Sequence, residues 1–203
     1  MKDKILPAGE ASLRIHGNGF LQAETRCGNK FHIWDTRLPR QKVQTLKHNH
    51  NHGFKSTLLI GDLRWSEFNL DLYGTGISLE LPSHADWVAQ YDEDLYLTHQ
   101  CIPREGKDTE LEPTGRVVGL INKREFHIKQ GSEYDWPLDM KLYHQVEPVW
   151  HYERVVSFVE RGKYCEDLPT VLVQVGQQPD NEFDRYAHND IATQIYEEAM
   201  EAL

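Results

Sequence analysis

The tract His48-Asn49-His50-Asn51-His52-Gly53-Phe54-Lys55 gathers the side chains of this chain best suited to chemistry. Neutral imidazole is the commonest metal ligand, and alternate residues of an extended strand share a face, so His48, His50 and His52 can converge on one ion. A plain solvated polar face is the competing reading of such spacing. The residues that follow favour the first, because Phe54, Thr57, Leu58, Leu59 and Ile60 form a buried-strand run, Gly61-Asp62 is a turn signal, and strict alternation resumes over 63–70.

Cations crowd the approach to the tract, with Arg37, Arg40, Lys42 and Lys47 before it and Lys55 and Arg64 within or just beyond it. If they face the histidines, Arg37, Arg40, Lys55 and Arg64 would bind a small anion, since a guanidinium fork matches carboxylate and phosphate alike. Otherwise they are solvated loop and edge-strand charges. The formal net charge of -10 excludes general nucleic-acid binding, which depends on cations that displace phosphate counterions.

A length of 203 residues gives one domain with a substantial core, and 39% hydrophobic with 27% charged residues is the balance of a globular protein with no membrane-spanning run. Residues 1–7 carry two lysines but no apolar segment of a secretory signal, and Cys27, Cys101 and Cys165 are odd in number and widely spaced. Both features are those of a cytoplasmic chain.

The elements that must position the histidines read as strands separated by turns. Residues 12–24 form a hairpin about the cluster His16-Gly17-Asn18-Gly19, Phe31 to Asp35 alternate, 43–46 begin the strand that carries the histidines, and 77–81 alternate again. Residues 82–115 interrupt the pattern as an insertion holding a capped helical turn near 83–88, a short strand at 95–99 and a charged loop. Strands resume at 116–121, 125–129, 149–152 and 154–159. From Asp184 the period changes to that of a helix, with Ile191, Ile195, Ala199 and Ala202 on one face. The expected organisation is a β-barrel over 1–180 and a C-terminal helix over 181–203 that packs on the barrel or on a second subunit of a homodimer.

The histidine tract resembles the first metal-binding motif of the cupin superfamily, a His-x-His followed by a Glu and then a Gly. Counted from His50, the Glu slot falls at Phe54 and the Gly at Gly61, so the resemblance assigns His48 and His50 as ligands and sets His52 beside them. The second cupin motif is similar to Gly131-Ser132-Glu133-Tyr134-Asp135-Trp136-Pro137 followed by His144, which becomes the third ligand and arrives about two residues later than the pattern has it. A site of three histidines without Glu is most like the thiol dioxygenases of the cysteine dioxygenase type. At the positions of that family's Ser-x-His-x-Tyr triad this chain has Ser157, Val159 and Arg161.

The resemblance implies a cupin (double-stranded β-helix, jelly-roll) barrel and a divalent first-row transition metal, Fe(II), held by His48, His50 and His144. His52 and Glu147 would stand behind the ligands and orient them. The activity it implies is that of an iron(II) dioxygenase acting on a small anionic thiol or carboxylate metabolite. Two other readings stay open: a pocket that binds or sequesters a small anion such as a cyclic nucleotide without catalysis, and hydrolysis of a phosphoester at the same metal.

Overall fold

Alternation of apolar and polar side chains resolves into two curled antiparallel sheets with one helix packed outside them. The computed structural model describes residues 11–15, 20–25, 28–38, 47–50, 52–71, 86–92, 95–102, 110–139, 141–149, 151–164 and 182–203. Its strands are β1 (Ser12–Ile15), β2 (Leu21–Glu24), β3 (Lys30–Asp35), β4 (Lys47–His48), β5 (His52–Ile60) and β6 (Leu63–Asp71), followed by β7 (Asp86–Asp92), β8 (Leu95–Ile102), β9 (Glu110–Ile128), β10 (Glu133–Trp136), β11 (Leu142–Pro148) and β12 (Arg154–Tyr164). The helix α1 spans Glu182–Glu201.

One sheet has the order β1-β2-β3-β12-β5-β10, and β11-β4-β7-β8-β9-β6 close on themselves as a barrel. From β3 to β6 and again from β9 to β12 the chain changes sheet at every step, which is the winding of a cupin-type jelly roll. The expected all-β fold with a C-terminal helix is therefore the fold observed.

Each face of the sheets has its own core. Outside the first sheet, Phe31, Ile33, Val156 and Phe158 pack against Ala192, Ile195, Tyr196 and Ala199 of α1, so the helix seals the barrel's own surface. Between the sheets lie Trp34, Phe54, Leu58, Val155 and Trp136 from one side and Leu63, Trp65, Ile128, Leu142 and Val146 from the other. The closed barrel encloses a smaller cluster of Phe68, Tyr96, Val118, Leu120 and Tyr143.

An ionic knot ties α1 down. Arg37 and Arg154 both bond Asp35, at 2.9 Å each, and Glu198, at 2.7 Å each. Burial alone would raise the Asp35 carboxyl, but hydrogen bonds from Arg37 and Arg154 outweigh it and hold the group below its usual range.

Three readings of the sequence change. Residues 86–92 form a strand and not a helical turn, since they pair with β8 and, through Val88 and Trp87, with Lys47 and His48. The interval expected as an insertion thus contributes β7 and β8 to the closed barrel. The two strands expected at 116–121 and 125–129 are one long strand, β9, which also takes in much of the charged loop and bends at Gly115 with a φ of 74°. In the span expected as a strand at 149–152, the described residues Val149, His151 and Tyr152 belong to no strand. The strands expected at 43–46 and 77–81, and Arg40 and Lys42, lie outside the described residues.

Gly61 joins β5 to β6 with a φ of 80°, and a Cβ there would meet the Val155 side chain at 2.9 Å and the Arg154 carbonyl oxygen at 3.3 Å. Left-handed backbone and close approach both require glycine. Gly61→Ala is expected to cost about 1–3 kcal/mol, read as a lower urea midpoint at unchanged slope. A midpoint equal to that of the parent would mean that the turn relaxes freely.

Candidate metal centre

The histidine tract is not one continuous strand. His48 ends β4, His50 lies in the link, and His52 begins β5. His144 stands directly across from His48 on the neighbouring β11, and directly opposed residues of an antiparallel pair project to the same face. Long-range pairing, and not local alternation, therefore assembles the group.

His48, His50 and His144 offer one ring nitrogen each within 4.8 Å of one another. His50 Nε2 and His144 Nε2 are 3.4 Å apart. Two nitrogens bound to one ion at ~2.1 Å lie roughly 3.0–3.4 Å apart at cis or tetrahedral angles, so the His50–His144 pair already has a ligand spacing and the group as a whole must draw in from its 4.8 Å spread to hold a cation. Ring centroids at 4.3 Å for His48 and His144 and 4.9 Å for His50 and His144 describe the same convergence.

The electrostatics suit ligation. Burial, followed by the neighbouring histidines, lowers the pKa of His50 well below 6.5, and burial followed by His48 and His32 does the same for His144. Both are thus neutral at pH 7, the form that donates a lone pair. His144 is 3% exposed, and its Nδ1 has no hydrogen-bond partner among the described residues. A cation on Nε2 would fix the tautomer that the protein leaves unfixed, with the proton on Nδ1. By these tests the residues present fit a divalent metal.

The walls are aromatic. Trp65 and Trp136 flank His144 at ring-centroid distances of 4.4 and 4.3 Å, and their indole Nε1 atoms are also buried with no hydrogen-bond partner among the described residues. Phe54, in the slot where the cupin pattern has Glu, stacks on Trp136 at 6.0 Å with its ring 5.0 Å from His50. It adds a hydrophobic wall and no ligand atom.

Of the other residues picked from the sequence, Arg37, Lys55, Arg64 and Glu147 are not brought together with the triad. Arg37 is committed to Asp35 and Glu198 near the helix. Lys55 bonds Glu133 at 2.7 Å, on the face of β5 opposite Phe54. Arg64 bonds Glu147 at 3.1 Å; the two are cross-strand partners, one position off the register that carries Trp65 and Val146 into the core between the sheets. Glu147 is therefore on the opposite face of β11 from His144. His52 does approach, with its ring 5.2 Å from that of His50.

Sequence reasoning passed over residues that the structure places nearby. Lys30, His32 and Trp34 alternate along β3, and the charges of Lys30 and His32 act on His50 and His144 respectively. Alternation with the core residue Trp34 was the available signal. Glu67, fully buried, stands across β6 and β11 from His144 and is gripped by Arg124 through two bonds of 2.7 and 2.8 Å and by the Tyr134 hydroxyl. Burial acts to raise Glu67, yet these hydrogen bonds keep it below its usual value, while burial and Glu67 push Tyr134 up.

No protein-family model matches the chain, and no curated protein does. Among solved structures, it is similar to hydroquinone 1,2-dioxygenase PnpCD in complex with Cd2+ and 4-hydroxybenzonitrile, at 12% identity and a TM-score of 0.33, over 80% of this chain and 68% of that one. It is likewise similar to hydroquinone 1,2-dioxygenase from Sphingomonas sp. TTNP3 with 4-hydroxybenzoate bound, at 6% identity and a TM-score of 0.35, over 78% and 68%. Likeness at this level leaves the activity to be read from the residues themselves. Among the described residues no helix is long and apolar enough to cross a membrane.

Proposed function

We propose that this chain is a metal-dependent cupin enzyme in which His48, His50 and His144 hold Fe(II) for dioxygenation of a small anionic metabolite, a thiol or a carboxylate. The convergence of three imidazoles, two of them, His50 and His144, held neutral by desolvation, is the observation that carries the reading. Bound there, a divalent metal would supply open coordination positions and the redox capacity that amino-acid side chains lack.

The protein's own part is binding, orientation and exclusion of water. Phe54, Trp65 and Trp136 enclose the ligands in apolar surface, which strengthens every charge interaction within. Arg37, Lys55 and Arg64 are committed to carboxylates, and Lys30, whose positive charge reaches His50, lies 3.9 Å from Glu24. Ser157, at the first position of the thiol dioxygenase triad, is buried and lies 2.7 Å from the Ser56 hydroxyl, while Val159 and Arg161 replace the other two members. The barrel is taken as one domain over 1–180 with the helix attached, in a cytoplasmic protein.

The test is metal analysis of protein purified without chelators, followed by anaerobic Fe(II) loading and dioxygen uptake with cysteine, 3-mercaptopropionate and small carboxylates. The expected result is close to one equivalent of metal per chain and uptake that requires both metal and substrate. Protein that retains no divalent metal and takes up none on loading would end this reading in favour of a metal-free binding barrel.

A further inference from the structure

The faces of β4, β6 and β11 turned away from the histidines line a second cavity, of about 140 Å³. Its lining includes Lys47, Ser66 and Gln145, the chain neighbours of His48, Glu67 and His144, together with Asn122, Arg64 and Glu147. Alternation along three adjacent strands thus puts imidazoles on one side and this polar chamber on the other.

Lys47 dominates its chemistry. The ammonium sits 4.5 Å from the Phe68 ring centroid and 4.0 Å from that of Tyr96, and donates a hydrogen bond to the Tyr96 hydroxyl. Among the described residues no carboxylate pairs with it. The two acids of the lining, Glu147 and Glu125, share Arg64 at 3.1 and 3.8 Å, so both are drawn to the guanidinium and away from Lys47, and the four charges of the lining sum to zero. Among the described residues Lys47 is thus the one charged group of the lining with no direct ion pair, backed by π faces, in a cavity that the Ser66 hydroxyl and the Asn122 amide also line as donors. A partly buried ammonium in that setting gains most from an oxyanion that accepts several hydrogen bonds at once. The volume admits one, since a single water needs only ~10–15 Å³.

We propose that the Lys47 cavity is a second binding site, for a small oxyanion of the carboxylate or phosphate class, separated from the histidine cluster by the thickness of a β-sheet. The site needs no metal and is independent of the enzymatic reading.

Calorimetric titration with inorganic phosphate and, separately, with acetate tests it and tells the two anion classes apart. Saturable binding of at least one is expected in the wild type and in His144→Ala, with Kd raised about tenfold or more in Lys47→Met, which keeps the stem and removes the charge. Metal content of Lys47→Met should equal that of the parent. In case that variant folds poorly, amide NMR shifts of the wild type on adding the bound anion should move Ser66, Asn122 and Gln145 in one saturating step. Binding that survives in Lys47→Met, binding lost in His144→Ala, or no saturable effect of either anion would each overturn the assignment.

Discussion

Alanine at His144 is expected to leave the purified protein with under about a tenth of an equivalent of metal, because two imidazoles alone rarely fix a first-row ion against competing water. His48→Ala and His50→Ala should behave alike, since each removes one of the three nitrogens that lie within 4.8 Å of one another. His52→Ala should retain metal. Its ring touches that of His50 at 5.2 Å, but it opens β5 and stands outside the converging group. Near-UV circular dichroism separates ligand loss from collapse of the site, which matters most for His144, packed between Trp65 and Trp136. Loss of metal in His52→Ala with retention in His48→Ala would exchange their roles, and retention in all three triad variants would remove the metal centre altogether.

The reach of the sequence reading follows from what is local and what is not. The strand leading to Gly61 and the alternation from 63 onward were legible because apolar period and turn chemistry are short-range, and the left-handed φ of 80° explains why glycine stands at that turn. His144 was found through a Gly-to-Pro spacing, although what brings it to His48 is a cross-strand pairing. Faces were harder. A strand of two residues, Lys47–His48, has no period to read, so the side of the sheet taken by Lys47 depends on its pairing with β7 and β11. For the same reason Arg64 and Lys47 looked like cations beside the histidines and instead line the cavity behind them. The long β9 was hidden because Pro113, Gly115 and its charged residues resemble a loop in isolation, while pairing with β6 and β8 overrides that propensity.

Arg124→Met should destabilise the protein by about 1–2 kcal/mol at neutral pH, because it strands the buried Glu67 carboxylate while the guanidinium it removes is half exposed and screened by solvent, and it should reverse the effect of acid. In the parent, burial tends to raise Glu67 but the Arg124 fork and the Tyr134 hydroxyl prevail, so its folded pKa lies below the ordinary 4.5. A depressed carboxylate contributes stability that is complete above its unfolded value and is lost as pH falls through the folded one. Without Arg124, a fully buried carboxylate keeps only the tyrosine hydroxyl and Lys123 at 4.0 Å, and burial then dominates. The folded value rises above the unfolded one, so this group's contribution is complete in acid and is lost as pH rises. Urea unfolding at pH 4 and pH 8 reads the change: the gap between variant and parent should narrow in acid, and by more than for Glu67→Gln, which is neutral throughout and narrows its gap only by what the parent itself loses. Equal losses for Arg124→Met at both pH values would mean that Arg124 does not set the charge of Glu67. Because Glu67 faces His144 across β6 and β11, the variant should also loosen metal retention, linking the buried ion pair to the strand that delivers the third histidine.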